Sequence, residues 1–268
     1  RREIEWVFAV SDNAAHNRLH ELAGRDGVNA RIRELELGPF ALAHRLSAPN
    51  SGAAEHRGIW FYTDRDAPSR GDSLYMKRPD AAPIDTLDAR SMAGLSKGRA
   101  YMAGGEVVDD PFDFSAKNHA PLETLLETLK RVVRPDLAAQ VGAPAFELSP
   151  EDRAFLVGAM QNSPQDVGFD SSYSDTYVKF LVMGDKDGPL PDHLRIANKV
   201  GMAYGTVTDV AWIRDERQGV EFFMAATLLV NENGVFNDDT YEYDEIAYPF
   251  LAELGRQVME ALAARRRA

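Results

Sequence analysis

The sequence contains no cysteine, which excludes disulfide bonds, thiolate metal sites and a cysteine nucleophile. Positive charge is also scarce, because 30 Lys and Arg residues stand against 42 Asp and Glu residues and the formal net charge is −12. Proteins that bind nucleic acid neutralise its phosphates with clustered Lys and Arg, so we expect no nucleic-acid partner. No apolar run approaches the roughly 20 residues that cross a bilayer, and we therefore expect no membrane span.

The residues that are present suit a folded domain, since 44% are hydrophobic and 9% are aromatic. Apolar positions repeat at helical spacing in residues 13–23, 27–37, 118–135 and 148–160. In the last of these, Ser149 is the predicted N-cap and Pro150 the predicted first helical residue. Residues 195–230 contain three strand-like runs joined by short turns, which is typical of an antiparallel meander, and a long helix over 243–267 follows. This order predicts an α+β fold in three α/β/α layers, with an antiparallel sheet and a helical subdomain.

The pattern changes between residues 46 and 117, where short aromatic and β-branched runs lie among Pro, Gly, Ser and Asp. A hairpin is predicted around residues 104–105. We therefore divide the chain into three parts. Residues 1–45 and 118–194 form a helical subdomain, residues 46–117 form an insertion with no assigned role, and residues 195–268 form sheet strands and the C-terminal helix.

Two short motifs carry the chemistry of the sequence. Ser11-Asp12-Asn13 interrupts an apolar segment where a helix begins, and "NKVGMAYG" places Lys199-Val200-Gly201 at the start of an apparent edge strand. By itself the first motif favours a helix cap, because Ser, Asp and Asn side chains accept hydrogen bonds from free N–H groups at a helix start. The second, by itself, favours a strand lysine with a solvated head.

Together, and in this order, the two motifs resemble the penicillin-recognising serine hydrolases related to class A β-lactamases, whose motifs are S-x-x-K, S-D-N and K-T-G. The resemblance covers residues 5–45 and 118–268, including the acidic "NENGVFNDDTYEYDE" before the last helix. It implies a β-lactamase/transpeptidase-like fold and an exported (periplasmic or secreted) protein. It also implies acyl transfer to water through a serine ester, on a peptide-like amide, ester or lactam, and we expect no cofactor.

The resemblance also implies roles for individual residues. Ser11 would relay a proton towards the leaving group, helped by the positive field of Lys199. Asn13 would hold the substrate's amide carbonyl, and the strand after Gly201 would pair with the substrate backbone. The N–H of Met202 would be one donor of the oxyanion hole.

Two departures from the family pattern stand out. Val200 replaces the Thr of K-T-G, so a hydroxyl that would bind a β-lactam carboxylate is missing. No S-x-x-K occurs, and the nearest matches, Thr176-Tyr177-Val178-Lys179 and Ser73-Leu74-Tyr75-Met76-Lys77, have the wrong hydroxyl or the wrong spacing. The first match is instead predicted to be an amphipathic segment with Tyr177, Phe180 and Leu181 packed inward.

We therefore expect the nucleophile to lie upstream of Arg1. The opening "RREIEWVFAV" has no initiator Met and no signal-peptide pattern, which indicates a chain cut from something longer. The alternative to an enzyme is a catalytically silent relative that binds a cell-wall peptide or a partner protein in the same groove.

Two further patterns favour structural interpretations over metal binding. His16 and His20 lie four residues apart, as metal ligands do, but the Glu of H-E-x-x-H is missing. The acidic segment departs from the calcium-loop pattern. The composition of this segment instead predicts a solvated loop, with a turn at Asn233-Gly234 and a helix start near Asp244. We therefore expect no metal site.

Overall fold

The computed structural model describes residues 1–48, 58–62, 73–76 and 94–267. Its helices are α1 (Arg2–Ala9), α2 (Asn13–Ala23), α3 (Arg25–Glu34), α4 (Leu122–Val133), α5 (Pro135–Gln140), α6 (Pro150–Gln161), α7 (Phe180–Met183) and α8 (Tyr248–Arg267). Its strands are β1 (Ile59–Tyr62), β2 (Ser73–Met76), β3 (Ser96–Lys97), β4 (Ala100–Ala103), β5 (Glu106–Val108), β6 (Phe112–Asp113), β7 (Leu194–Ala203), β8 (Thr206–Asp215), β9 (Val220–Leu229) and β10 (Val235–Phe236). A π-helical turn, Tyr243–Ala247, leads directly into α8. Within these residues, no helix combines the length and the apolar character that crossing a membrane requires.

The sheet that carries the second motif is an antiparallel meander in the order β7-β8-β9. The β7–β8 register ends with Ala203 opposite Thr206, which leaves Tyr204 and Gly205 as a two-residue loop. Both loop residues have positive φ angles, 53° and 75°, as a type I′ turn requires. The meander predicted over residues 195–230 is therefore confirmed.

Helices pack on both faces of this sheet, because successive side chains of a strand point to opposite sides. On one face, Ile196 and Val207 form a buried cluster with Leu251 of α8 and the residues of α7. On the other face, Val210 and Trp212 pack against apolar side chains of α4 and α6. The mixture of helices with an antiparallel sheet agrees with the predicted α+β class.

Within residues 46–117, the described segment 94–117 reaches the tip of the β7–β8 hairpin through Phe112 and Phe114. β4 and β5 form the hairpin predicted around residues 104–105, and β4 also pairs in parallel with β10. The rings of Phe112 and Phe114 each lie 5.5 Å from the ring of Tyr204 in the hairpin loop. Residues 49–57, 63–72 and 77–93 lie outside the described part of the chain, and so does Lys77 of the near-match to S-x-x-K.

Several elements differ from the sequence-based expectations. α1 occupies an apolar segment for which no helix is predicted, and Glu3 and Glu5 lie in its first turn, where the helix dipole favours acidic residues. α3 covers Arg25–Glu34 rather than residues 27–37. Pro135 follows the end of α4 and is also the first residue of α5, a helix position that tolerates proline.

The acidic segment before α8 contains both expected and unexpected structure. The predicted turn at Asn233-Gly234 is present, since the Gly234 N–H donates to the Asn231 carbonyl over 3.2 Å. The predicted helix start near Asp244 agrees with the π-helical turn, which begins at Tyr243. β10 interrupts the predicted loop, because the chain pairs there with β4.

Candidate active site

The three residues of the first motif have separate positions at the junction of α1 and α2. Asp12 is the N-cap of α2 and accepts a 2.5 Å hydrogen bond from the N–H of Ala15. Asn13 is the first residue of α2, and its side-chain amide donates to the hydroxyl of Ser47 over 3.2 Å. Ser11 links the two helices with a φ of 54°. Capping is therefore done by Asp12, and the Ser11 hydroxyl is directed elsewhere.

The hydroxyl of Ser11 contacts the lysine of the second motif. Lys199 Nζ donates a 2.8 Å hydrogen bond to Ser11 Oγ and a 2.5 Å hydrogen bond to the Val200 carbonyl. Burial lowers the pKa of Lys199 to about 8, against the opposing effect of the negative charge of Asp209. A group whose pKa lies close to neutral pH is suited to accept and return a proton.

The register of the hairpin decides which backbone groups of β7 remain available. A two-residue hairpin loop makes Ala203 and its partner a hydrogen-bonded pair, and hydrogen-bonded pairs then alternate with non-bonded pairs along the ladder. Val200 and Met202 fall in non-bonded pairs, so their N–H and C=O groups point away from β8. The bond from Lys199 to the Val200 carbonyl agrees with this assignment. In the described part of the chain, β8 is the sole strand partner of β7.

The side chains that follow Lys199 lie in different surroundings. Val200 is only 7% exposed and belongs to the cluster between the sheet and α8. Gly201 is exposed. Met202 is 51% exposed, and its sulfur accepts a 2.8 Å hydrogen bond from the hydroxyl of Tyr248. The open edge of β7 therefore presents a backbone N–H at Met202 beside a partly apolar surface.

A cleft of about 600 Å³ lies beside Lys199, on the face of the sheet that α4 covers. Its lining is mainly apolar and includes Phe8, Leu125, Leu129, Val132, Met160 and Val210. Lys199, Val200 and Gly201 also line it, and the hydrogen bond from Lys199 connects it to Ser11. An apolar cleft with one amine at its wall keeps that amine poorly solvated, which explains the direction of the pKa shift.

Sequence reasoning did not assign a catalytic or positioning role to His16, which lines the same cleft. Burial lowers the pKa of His16, a hydrogen bond with Asn17 opposes the shift, and the charge of Lys199 adds to it. The lowered pKa favours the uncharged form of His16. Nothing in the sequence distinguishes His16 from an ordinary helix histidine, because the neighbouring lysine is distant in the chain.

Two asparagine side chains hold the segment that borders the cleft. The amide of Asn17 bonds both the N–H and the carbonyl of Leu46, over 2.8 and 2.7 Å. The Asn118 side chain accepts from the N–H groups of Ala43 and His44 and donates to the His44 carbonyl. Paired amide contacts of this kind have no local sequence signature.

The near-match Thr176-Tyr177-Val178-Lys179 is part of the packed structure. The Thr176 hydroxyl donates to the Lys186 carbonyl, while Lys179 Nζ bonds other partners, so the two do not form a nucleophile and base pair. Phe180 and Leu181 pack inward as predicted. The prediction for Tyr177 is wrong, because Tyr177 is 44% exposed and packs edge-on against the ring of Tyr173.

Known proteins give little information about the role of these residues. No protein-family model matches the sequence, and no curated protein matches it either. Among solved structures, the chain is similar to a β-lactamase from Sphaerobacter thermophilus DSM 20745, with 14% sequence identity and a TM-score of 0.40. The match covers 98% of this chain and 62% of the β-lactamase chain. A likeness of this strength supports no statement about catalytic residues or substrate.

Proposed function

We propose that the chain belongs to a serine hydrolase of the penicillin-recognising type, with a β-lactamase/transpeptidase-like three-layer fold. The reaction is acyl transfer to water through a serine ester, on a peptide-like amide, ester or lactam. The observation that carries the proposal is the 2.8 Å hydrogen bond between Lys199 and Ser11. Two motifs that each have an ordinary structural explanation meet at one point, and a serine with a lysine of lowered pKa forms a proton relay.

The proposed mechanism assigns each group of the site a separate task. Ser11 passes a proton to the leaving group, and Lys199 favours that transfer through its charge and its hydrogen bond. The open edge of β7 pairs with the backbone of an extended substrate, and the Met202 N–H stabilises the oxyanion that forms as the carbonyl is attacked. Asn13 holds the substrate's amide carbonyl through the second N–H of its side-chain amide, since one N–H donates to the hydroxyl of Ser47.

The nucleophile in this proposal is a serine outside residues 1–268. This assignment follows from the absence of S-x-x-K in the sequence, and from the hydrogen bonds that commit Thr176 and Lys179 to other partners. The same absence of S-x-x-K also favours the second candidate, a catalytically silent relative that binds a peptide in the groove.

A serine-directed fluorophosphonate distinguishes the two candidates. The full-length protein and the isolated segment 1–268 are treated with the probe, and the adduct is located by peptide mass spectrometry. The enzyme proposal expects label only in the full-length protein, on a serine outside residues 1–268. Label on Ser11, Ser73 or Thr176 of the isolated segment contradicts it, and full-length protein that binds peptide without labelling supports the silent relative.

Matched lysine variants sharpen this experiment. Lys199→Met is expected to slow labelling of the full-length protein by about 100-fold, because loss of a proton-transfer group has effects of that order. Lys186→Met, which changes an exposed lysine, is expected to leave the rate unchanged.

A further inference from the structure

Three polar side chains form a buried network behind the candidate site. Lys179, Asn198 and Asp209 are each no more than 2% exposed. Lys179 Nζ donates to Asn198 Oδ1 over 2.8 Å, and Asn198 Nδ2 donates to Asp209 Oδ1 over 2.9 Å. The network thus joins a buried cation to a buried carboxylate through one amide.

The hydrogen-bonding capacity of the network is well matched to its surroundings. The Lys179 ammonium also donates to the carbonyls of Met160 and Ile196, which gives partners to its three N–H groups. The second N–H of Asn198 donates to the Val178 carbonyl, and the remaining oxygen of Asp209 accepts from the Leu181 N–H. One network therefore ties α6, the approach to α7, β7 and β8 together.

The network lies directly beside the groups that the proposed mechanism uses. Asn198 precedes Lys199 in β7, and Asp209 is paired with Val200 across the β7–β8 ladder. Ile196 falls in a non-bonded pair of that ladder, so its carbonyl points to the open edge of β7. Lys179 therefore occupies the open edge of β7 at Ile196. The part of β7 that follows Ile196 in the chain keeps its edge available to an extended ligand.

Burying an ion pair is seldom the most stable solution, because apolar side chains of similar volume avoid the cost of desolvating two charges. A network of this kind is better explained by the neighbouring residues that it holds in place. We infer that Lys179, Asn198 and Asp209 are positioning residues that hold β7 and set the electrostatic surroundings of Lys199, so that its ammonium meets Ser11. This inference rests on the proposed function for its catalytic meaning.

The charged and titratable groups around Lys199 make the inference testable. Asp209 on β8 favours the ammonium form of Lys199, and the Lys179 and Lys199 charges disfavour each other. Burial lowers the pKa of His16 on α2, which favours its uncharged form beside Lys199. Substitutions at Asp209 and at Lys179 therefore have opposite expected effects on Lys199.

The test follows Lys199 by NMR of the full-length protein labelled with ¹³Cε lysine, with the resonance assigned through Lys199→Met. Asp209→Asn is expected to lower the titration midpoint of Lys199 by about one pH unit, because it removes a negative charge. Lys179→Met is expected to raise the midpoint, because it removes a positive charge. Asp215→Asn, a change of a second buried carboxylate on β8 that bonds Gln218, is the control and is expected to leave the midpoint in place.

Opposite shifts exclude a merely structural role, since loosening of the site would move the midpoint towards that of an ordinary lysine in both variants. Shifts in the same direction, or an equal shift in Asp215→Asn, overturn the inference. Because the titration needs no substrate, it is independent of acyl transfer. If the two variants shift the titration midpoint of Lys199 in opposite directions but the protein transfers no acyl group, the electrostatic role stands and the proposed function is rejected. If the protein transfers acyl groups but the midpoint does not move in either variant, only the inference about Lys179, Asn198 and Asp209 is rejected.

Discussion

The ammonium of Lys199 lies 2.8 Å from the hydroxyl of Ser11, although 188 residues separate them in the chain. Ser11 makes this contact from a left-handed backbone conformation, with a φ of 54°. Non-glycine residues in this region cost about 1–3 kcal/mol and concentrate at functional sites. The backbone conformation that positions the Ser11 hydroxyl therefore lowers the free energy of unfolding.

Ser11 variants are expected to separate stability from activity. Ser11→Ala and Ser11→Gly both remove the hydroxyl, and each should lower the rate of acyl transfer about 100-fold or more. Glycine adopts positive φ without strain, so Ser11→Gly should be more stable than Ser11→Ala by about 1 kcal/mol. Urea unfolding and acyl-transfer rates of the full-length variants check both statements. Equal stabilities would contradict the strained backbone, and an unchanged rate would remove Ser11 from the mechanism.

Proline substitutions are expected to reveal which N–H groups of β7 are free. Met202→Pro removes an N–H that points away from β8, and an edge position of this kind tolerates proline. The variant should fold, but lose about 100-fold in acylation rate because one oxyanion donor is gone. Gly201→Pro removes a ladder hydrogen bond and should lower the melting temperature substantially. If Met202→Pro unfolds as readily as Gly201→Pro, the assigned register is wrong.

A hydroxyl at position 200 is expected to improve the recognition of β-lactams. Val200 forms part of the wall of the cleft, although its side chain packs in the cluster between the sheet and α8. By the family resemblance, a threonine at this position would supply a hydrogen bond to the substrate carboxylate, worth about 1.5–3 kcal/mol. Val200→Thr should therefore raise the penicillin acylation rate at least about tenfold. Val207→Thr, in the same buried cluster, should lose a similar amount of stability without that gain. A rate that does not rise would show that the carboxylate is not bound at residue 200.

The stability of the protein is expected to depend on the charge of Lys199 above neutral pH. Its pKa is about 8 in the folded protein, below the ordinary value of 10.5. Between these values the unfolded chain binds more protons than the folded one, so the contribution of Lys199 to stability rises with pH. That contribution is present above pH 10.5 and is lost as pH falls through about 8.

Urea unfolding of wild type and Lys199→Met at pH 7 and pH 10 isolates this contribution. The difference in free energy of unfolding, wild type minus variant, is expected to be larger at pH 10. Titrating groups that lie far from Lys199 are common to both proteins and cancel in the comparison. A difference that is constant or smaller at pH 10 would mean that Lys199 is not buried as the structure places it.

Local patterns in the sequence were sufficient for much of the fold. The meander over residues 195–230 follows from apolar alternation broken at short turns, and Tyr204-Gly205 is able to adopt the two positive φ angles of the hairpin loop. Ser149 and Pro150 likewise mark the start of α6, as N-cap and first helical residue. α1 and β10 were missed. β10 is only two residues long and its partner is distant in the chain, so it leaves no periodic signal.

The candidate site shows the same division between local and distant information. The sequence by itself supplied the two motifs and the departure at Val200, because these depend on residue types at short spacing. Only the tertiary structure brought Ser11 to Lys199 and assigned the helix cap to Asp12. The tertiary structure also buried Lys179, a lone cation in the apolar run "VKFLVM", against Asn198. Such contacts are decided by how the helices and the sheet pack, since hydrogen bonds and burial depend on distance in space rather than on separation along the chain.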